Sequence, residues 1–137
     1  MCRSPMHLDA MSVTLQGMDI RTKRAYEPAE ESDGYRVLID RLWPRGISKD
    51  KADIDQWAKE LAPSTELRQW FSHEPSRFAE FRRRYTDELR GKRPRLTELR
   101  RRAREGTLTL VYSARDTEHN DAVVLAEILR RGLPRRR

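Results

Sequence analysis

The stretch Asp40-Arg41-Leu42-Trp43-Pro44-Arg45-Gly46-Ile47-Ser48-Lys49 gathers two guanidiniums, a lysine, a rigid Trp-Pro pair and a glycine. Arginine forks bind phosphate or carboxylate bidentately, and an indole beside them gives a ligand an apolar wall. Capture of a small anion is the chemistry this suits, with Arg41, Trp43, Arg45 and Lys49 as binding candidates. The competing reading places Trp43 in the core and pairs Arg41 and Arg45 with acids such as Asp53 or Asp55. A second stretch, Ser113-Ala114-Arg115-Asp116-Thr117-Glu118-His119-Asn120, offers Ser113, Asp116 and Asn120 as polar groups able to orient a ligand. The plainer role for Asp116 or Thr117 is a helix cap. Ser113 has no obvious base beside it and no GxSxG elbow, which weakens it as a nucleophile. Proton transfer would fall to Asp40 or to His73, whose imidazole titrates near neutrality. His73 follows Trp70-Phe71-Ser72, where bonding to the last carbonyls of a helix is its competing role.

These groups meet only if the chain brings distant segments together. Ile20 to Tyr26 reads as a polar, alternating strand suited to a sheet edge, and Glu30 to Gly34 as the loop after it. Val37-Leu38-Ile39, within Tyr35 to Asp40, and Thr107 to Tyr112 are the apolar runs expected of strands buried on both faces of a parallel sheet. Some sixty residues of helical pattern separate them, which fits a parallel crossover. Helices are expected over Ile54–Leu61, Ser64–Phe71, Pro75–Arg90, Pro94–Glu105 and Glu118–Arg131, with Ser64 as an N-cap and Pro75 and Pro94 in first turns. The stripe Phe78, Phe81, Tyr85, Leu89 and the stripe Leu96, Leu99, Ala103 are expected to pack on the sheet. The expected fold is a small, mostly parallel α/β sheet of three strands, or four, covered by about five helices. Ligands of such sheets collect beyond the strand carboxyl ends, and there both polar stretches begin.

At 137 residues the chain has room for one compact domain. Residues 1–17 are expected to be a mobile leader, 18–132 the α/β domain and 133–137 a basic tail. No run reaches the roughly twenty apolar residues a bilayer demands, and the leader lacks the apolar core of a signal peptide, so a cytoplasmic location without membrane partners is the default. The lone Cys2 excludes a disulfide framework or a CxxC zinc site. His7, His73 and His119 share no ligand spacing, and neither a P-loop nor GxGxxG is present, so no metal or cofactor is expected. Of the net charge of +7, the excess lies in residues 77–104, with twelve Lys/Arg against four Asp/Glu. That band supports an alternative partner, nucleic acid, held by Arg82, Arg83, Arg84, Arg93, Arg95, Arg100, Arg101, Arg102 and Arg104. In the Pro94 helix these charges flank the Leu96 stripe on both sides and form no single face.

Val37-Leu38-Ile39-Asp40-Arg41-Leu42-Trp43-Pro44-Arg45-Gly46-Ile47-Ser48-Lys49, Trp57 with Lys59 to Ser64, Leu67-Arg68 with Trp70 to His73, and Leu110 to Ala114 ahead of Asp116, His119 and Asn120 also carry a resemblance. The chain, from about Met18 to Leu129, resembles the YeaO-like family of small, largely bacterial proteins within the domain of unknown function 488. The resemblance implies a compact α/β fold and no particular reaction. Related branches of that wider group look as though they carry a Cys near the strand end and Cys-His-Arg at the start of the last helix. This chain has Ser113 and His119-Asn120-Asp121 instead, which removes thiol chemistry from the expectation. The leading expectation is a pocket for a small anion, a nucleotide or phosphorylated metabolite, between the two strand-end loops. The alternative is a nucleic-acid-binding or regulatory module.

Overall fold

The computed structural model describes residues 18–135. Four strands, β1 (Asp19–Arg24), β2 (Tyr35–Leu38), β3 (Gln56–Trp57) and β4 (Thr107–Tyr112), form one sheet in the order β1-β4-β2-β3. All neighbours are parallel, with Val37 opposite Leu110 and Leu38 opposite Val111. The polar strand sits at an edge, and the two apolar runs fill the centre. The helices are α1 (Lys49–Ala52), α2 (Thr65–Phe71), α3 (Phe78–Leu89), α4 (Arg93–Glu105) and α5 (Asp121–Arg131). No helix among the described residues is long and apolar enough to cross a membrane. The expected leader, residues 1–17, lies outside the described residues, as do the last two arginines of the expected tail.

Alternation along the strands divides the sheet into two unlike faces. Ile20, Val37, Leu108, Leu110 and Tyr112 join the main core with the apolar sides of α2, α3, α4 and α5. On the other face Ala25, Leu38 and Val111 meet Trp43, Ile47, Ile54 and Trp57. The α4 stripe rests on β4 and β1, as does α5. The Phe78 stripe departs from expectation, for α3 lies chiefly against α5 and α2 and reaches the sheet through them.

Two boundaries also differ. The helix expected over Ile54–Leu61 is instead strand β3 followed by a short 3₁₀ turn, Lys59–Leu61. The open edge of β2 supplies what a local pattern cannot show: Trp57 pairs opposite Leu38, packs edge-on against Trp43 at 5.4 Å and donates its indole N–H to the Asp40 carbonyl at 2.7 Å. The last helix begins at Asp121, not Glu118, because the Asn120 side chain accepts the Val123 N–H at 2.9 Å and caps it. Asp116, one of the two caps expected, holds the preceding turn by accepting from the Glu118 and His119 amides.

The polar part of the second face is organised by one side chain. Arg36 is 2% exposed and is opposite Thr109 in the sheet. Its guanidinium donates to the carbonyls of Ala52 and Asp53 and to the Asp33 carboxylate at 2.6 Å. Asp33 also accepts from Lys23 and from the Glu30 amide. Burial pushes the Asp33 carboxyl up, but the Glu30 amide, Lys23 and Arg36 outweigh it and hold the carboxyl below the usual range. Gly34, at φ 65°, lets the chain enter β2 directly beside β4, where a Cβ would stand 2.3 Å from the Thr107 carbonyl oxygen. Removing one partner of a buried, hydrogen-bonded charge pair strands the other, so Arg36→Ala should lower stability by about 3–5 kcal/mol. Urea unfolding measures this, and a loss under about 1 kcal/mol would place the pair in the class of weak surface bridges.

Candidate functional site

The parallel pairing of β2 with β4 delivers the two polar loops to the same end of the sheet. They are joined there: the Ser113 amide donates to the Asp40 carboxylate at 2.8 Å, across 73 residues of sequence. Around this clasp lies a cavity of about 670 Å³, a size typical of small-molecule sites. Asp40, Arg41, Trp43, Arg45, His73, Ser113, Asp116 and Asn120 all line it. Lys49 is not brought there, since it opens α1 and is exposed outside the cavity lining.

Apolar residues make the walls. Phe71 and Phe81 stack with centroids 4.4 Å apart, and Trp43, Pro44 and Pro63 add rigid surface. Trp43 is both core and wall, because it is half-buried in the second apolar cluster and anchored by donating to the Ile47 carbonyl at 2.7 Å. His73 reaches the cavity on an unusual backbone. Ser72 and His73 both have positive φ, 50° and 56°, which turns the chain out of α2 and leaves the imidazole exposed near Phe71.

Charge is arranged by depth. Arg41, Arg45, Arg68 and Arg115 line the cavity as exposed residues, whereas Asp40, Asp116 and Asp121 are half-buried and Asn120 is buried. None of the four arginines has a carboxylate within ion-pair distance among the described residues. Arg41 donates to the Pro63 carbonyl at 3.3 Å, and the Arg45 carbonyl accepts from Tyr26. The expected partner for these arginines is engaged elsewhere, for the Asp55 carboxylate accepts the Arg36 amide.

Beyond Arg115, three polar lining residues were not singled out by sequence reasoning. Asp121, first residue of α5, faces Asp40, and burial together with the Asp40 carboxylate pushes its carboxyl well above the usual carboxylate range. The neighbouring carboxylate and the loss of solvent both favour the protonated form of Asp121. His119 is the second: its Nδ1 lies 2.9 Å from the Asp116 carboxylate, and its ring meets Phe78 edge-on at 5.2 Å. The Glu118 amide and His119 hold the Asp116 carboxyl below its ordinary value. The carboxylate on Nδ1 orients the ring and leaves Nε2 without a partner among the described residues. Arg68, on α2, is the third. Below them Tyr85 is buried, donates to the Leu61 carbonyl at 2.5 Å and is pushed well above its usual pKa by burial and the nearby Asp121 and Asp40 carboxyls. Among the described residues no group of His, Cys, Asp and Glu is arranged to hold a metal ion.

Residues 19–137 match the family described as the inactive DUF488-N3 subclade. The chain belongs to it. A relative in Escherichia coli (strain K12), named as the uncharacterized protein YeaO, is 50% identical over 113 residues, covering 82% of this chain and 98% of the relative. In Mycobacterium tuberculosis (strain H37Rv) the uncharacterized protein Rv3073c is 44% identical over 110 residues, 80% of this chain and 92% of its own length. The uncharacterized protein Mb3100c of Mycobacterium bovis matches equally. No solved structure matches the chain.

The raised carboxyl of Asp121 sets a signed expectation for stability. Below about pH 4 the group is protonated in both folded and unfolded chains and contributes no difference. As pH rises, the unfolded chain ionises while the folded one resists, so folding loses stability through the window between the unfolded and the raised folded pKa. Asp121→Asn removes that penalty and should raise the melting temperature at pH 7.5 by a few degrees, about 1 kcal/mol for a domain of this size. The gain should vanish near pH 4. Calorimetry at both pH values checks it, and a variant less stable at pH 7.5 would contradict the raised Asp121 carboxyl.

Proposed function

We propose that this protein binds a small anionic ligand, a nucleotide or a phosphorylated metabolite, in the cavity between the Asp40 and Ser113 loops. One observation carries the reading: four arginines without carboxylate partners among the described residues line a single cavity of suitable size. Guanidiniums beside an apolar wall are an anion-binding arrangement, and an arginine not already neutralised keeps its field for a ligand. The family's description as inactive agrees with retention of the ligand and not its conversion. The acid pair and His119 would then orient groups of the ligand, and Asp40 and His73 would have no proton to transfer.

The basic helices differ in this respect. Arg83 and Arg84 are paired with Glu80, whose carboxyl they hold down to about 2. Arg82 pairs with Glu127, Arg95 with Glu60 and Glu98, and Arg101 with Glu105. Arg102 lies over the Tyr35 ring at 4.0 Å, while Arg93 is exposed. Five of the nine arginines that suggested nucleic acid are therefore paired within the protein, while Arg93, Arg100, Arg102 and Arg104 have no carboxylate partner among the described residues.

Calorimetric titration with inorganic phosphate, sugar phosphates and nucleoside monophosphates tests the reading. At least one organic phosphate should bind more tightly than inorganic phosphate. Arg41→Ala with Arg68→Ala should weaken it about a hundredfold, the scale of two charge-assisted hydrogen bonds. Arg83→Ala with Arg101→Ala should leave it unchanged. Tight binding of RNA or DNA that falls steeply with salt and disappears in the helix variants would instead establish the nucleic-acid role.

A further inference from the structure

The cavity is two-ended, and its inner end gives information that the arginines do not. Exposed guanidiniums occupy the outer part, while the half-buried Asp40 and Asp121 carboxyls face each other within. One Asp40 oxygen is used by the Ser113 amide, and the N-terminal amides of α5 take part of the Asp121 carboxyl. Both residues line the cavity. A ligand that is only an anion would bring its charge against these carboxyls or leave them facing nothing, and either outcome costs affinity.

We propose that Asp40 and Asp121 form the hydroxyl-reading end of this cavity, so that its ligand is a phosphorylated compound bearing vicinal hydroxyls, a sugar phosphate or a ribonucleotide. The inference rests on the anion-binding reading above and specifies the part of the ligand remote from the anion. Carboxyl oxygens in a partly desolvated cavity are acceptors for ligand hydroxyls, and a carboxyl that keeps its proton also donates to one. Adjacent hydroxyls, each a donor and an acceptor, match that set. Among the described residues no group of His, Cys, Asp and Glu is arranged to hold a metal ion there. The walls agree, since Phe71, Phe81 and Trp43 offer ring surface to the C–H face of a sugar or to a base. His119, oriented by Asp116 through Nδ1, supplies Nε2 as a further partner for a hydroxyl, which can meet it as donor or acceptor.

The test compares pairs of probes differing by one hydroxyl, titrated in EDTA: ribose 5-phosphate with 2-deoxyribose 5-phosphate, glucose 6-phosphate with its 2-deoxy analogue, and AMP with deoxy-AMP. In at least one pair the hydroxylated member should bind about tenfold or more tightly, because its loss leaves a desolvated carboxyl unpaired. Asp121→Leu should bring that ratio below about twofold while phosphate-dependent binding persists. Asp121→Asn, which keeps shape and polarity, should lie between. Equal binding within every pair by the unaltered protein overturns the inference whatever the variants do, and leaves the anion-binding reading intact if Arg41→Ala with Arg68→Ala still abolishes binding. Discrimination that persists in folded Asp121→Leu also overturns it. Failure of all six probes to bind more tightly than inorganic phosphate removes both readings together.

Discussion

The hydrogen bond from the Ser113 amide to the Asp40 carboxylate is the point on which the site turns, because it ties together loops that the sequence keeps 73 residues apart. It can form only if β2 and β4 are neighbours and run the same way. In an antiparallel arrangement the Asp40 loop and the Ser113 loop would leave from opposite ends of the sheet, and the cavity would have one wall. Parallel pairing in turn demands a long crossover, and residues 58–106 supply it as α2, α3 and α4. The helical middle of the chain, with its excess of arginine, is thus the connection that makes the site geometrically available. Several of its arginines pair with acids one helical turn away, as Arg83 and Arg84 do with Glu80.

The same topology leaves the sheet with unlike faces, and Arg36 shows what the thinner cover requires. With α2 to α5 sharing the main core, the other face is covered by loops and the single turn of α1. Loops carry unpaired carbonyls, and a buried carbonyl without a donor costs more than a hydrogen bond returns. Arg36 satisfies those of Ala52 and Asp53 together, while Asp33 balances its charge. A leucine at this position would fill the volume and leave the carbonyls unanswered. The Trp43 and Trp57 pair performs the apolar half of the task, and each indole also fixes a loop carbonyl, of Ile47 and Asp40 respectively. The wall of the cavity is therefore stiffened from behind, by residues that close the second face.

How much of this could be read from sequence follows from the range of the forces involved. Val37-Leu38-Ile39 and Thr107 to Tyr112 announce buried strands because their composition alone requires burial on both faces, and the polar alternation of β1 places it at an edge. Strand β3 is invisible locally, since two residues gain their conformation from the free edge of β2. The site shows the same division. Arg41, Trp43 and Arg45 stand in one unusual stretch and identify themselves by type. Asp121 does not, because a helix drawn from Glu118 puts it inside the body of that helix among surface acids. The signal that would have moved it is Asn120, a strong N-cap residue that sets the start one position before Asp121 and aims its carboxyl at the strand ends. His119 is concealed for the same reason. Arg68 belongs to a helix whose contribution to the cavity depends on how α2 packs against α3, a tertiary fact with no local sign.

Charge placement in the cavity finally bears on whether it suits catalysis or retention. A general acid or base must exchange its proton with the reacting group, which requires that no better partner hold it. Here several such groups have a partner within the protein: Asp40 in the Ser113 amide, Asp116 in two amides and His119, Tyr85 in the Leu61 carbonyl. The arginines, by contrast, are left without carboxylate partners among the described residues, although Asp40, Asp116 and Asp121 line the same cavity. Arg41 reaches across only to the Pro63 carbonyl, so the acids do not collapse onto the cations. That separation has to be held against an attraction of several kcal/mol at close range in a partly desolvated site. The Trp-Pro step, the clasp at Ser113 and the capped start of α5 hold it. A scaffold that keeps opposite charges apart in one cavity presents both signs to whatever enters it.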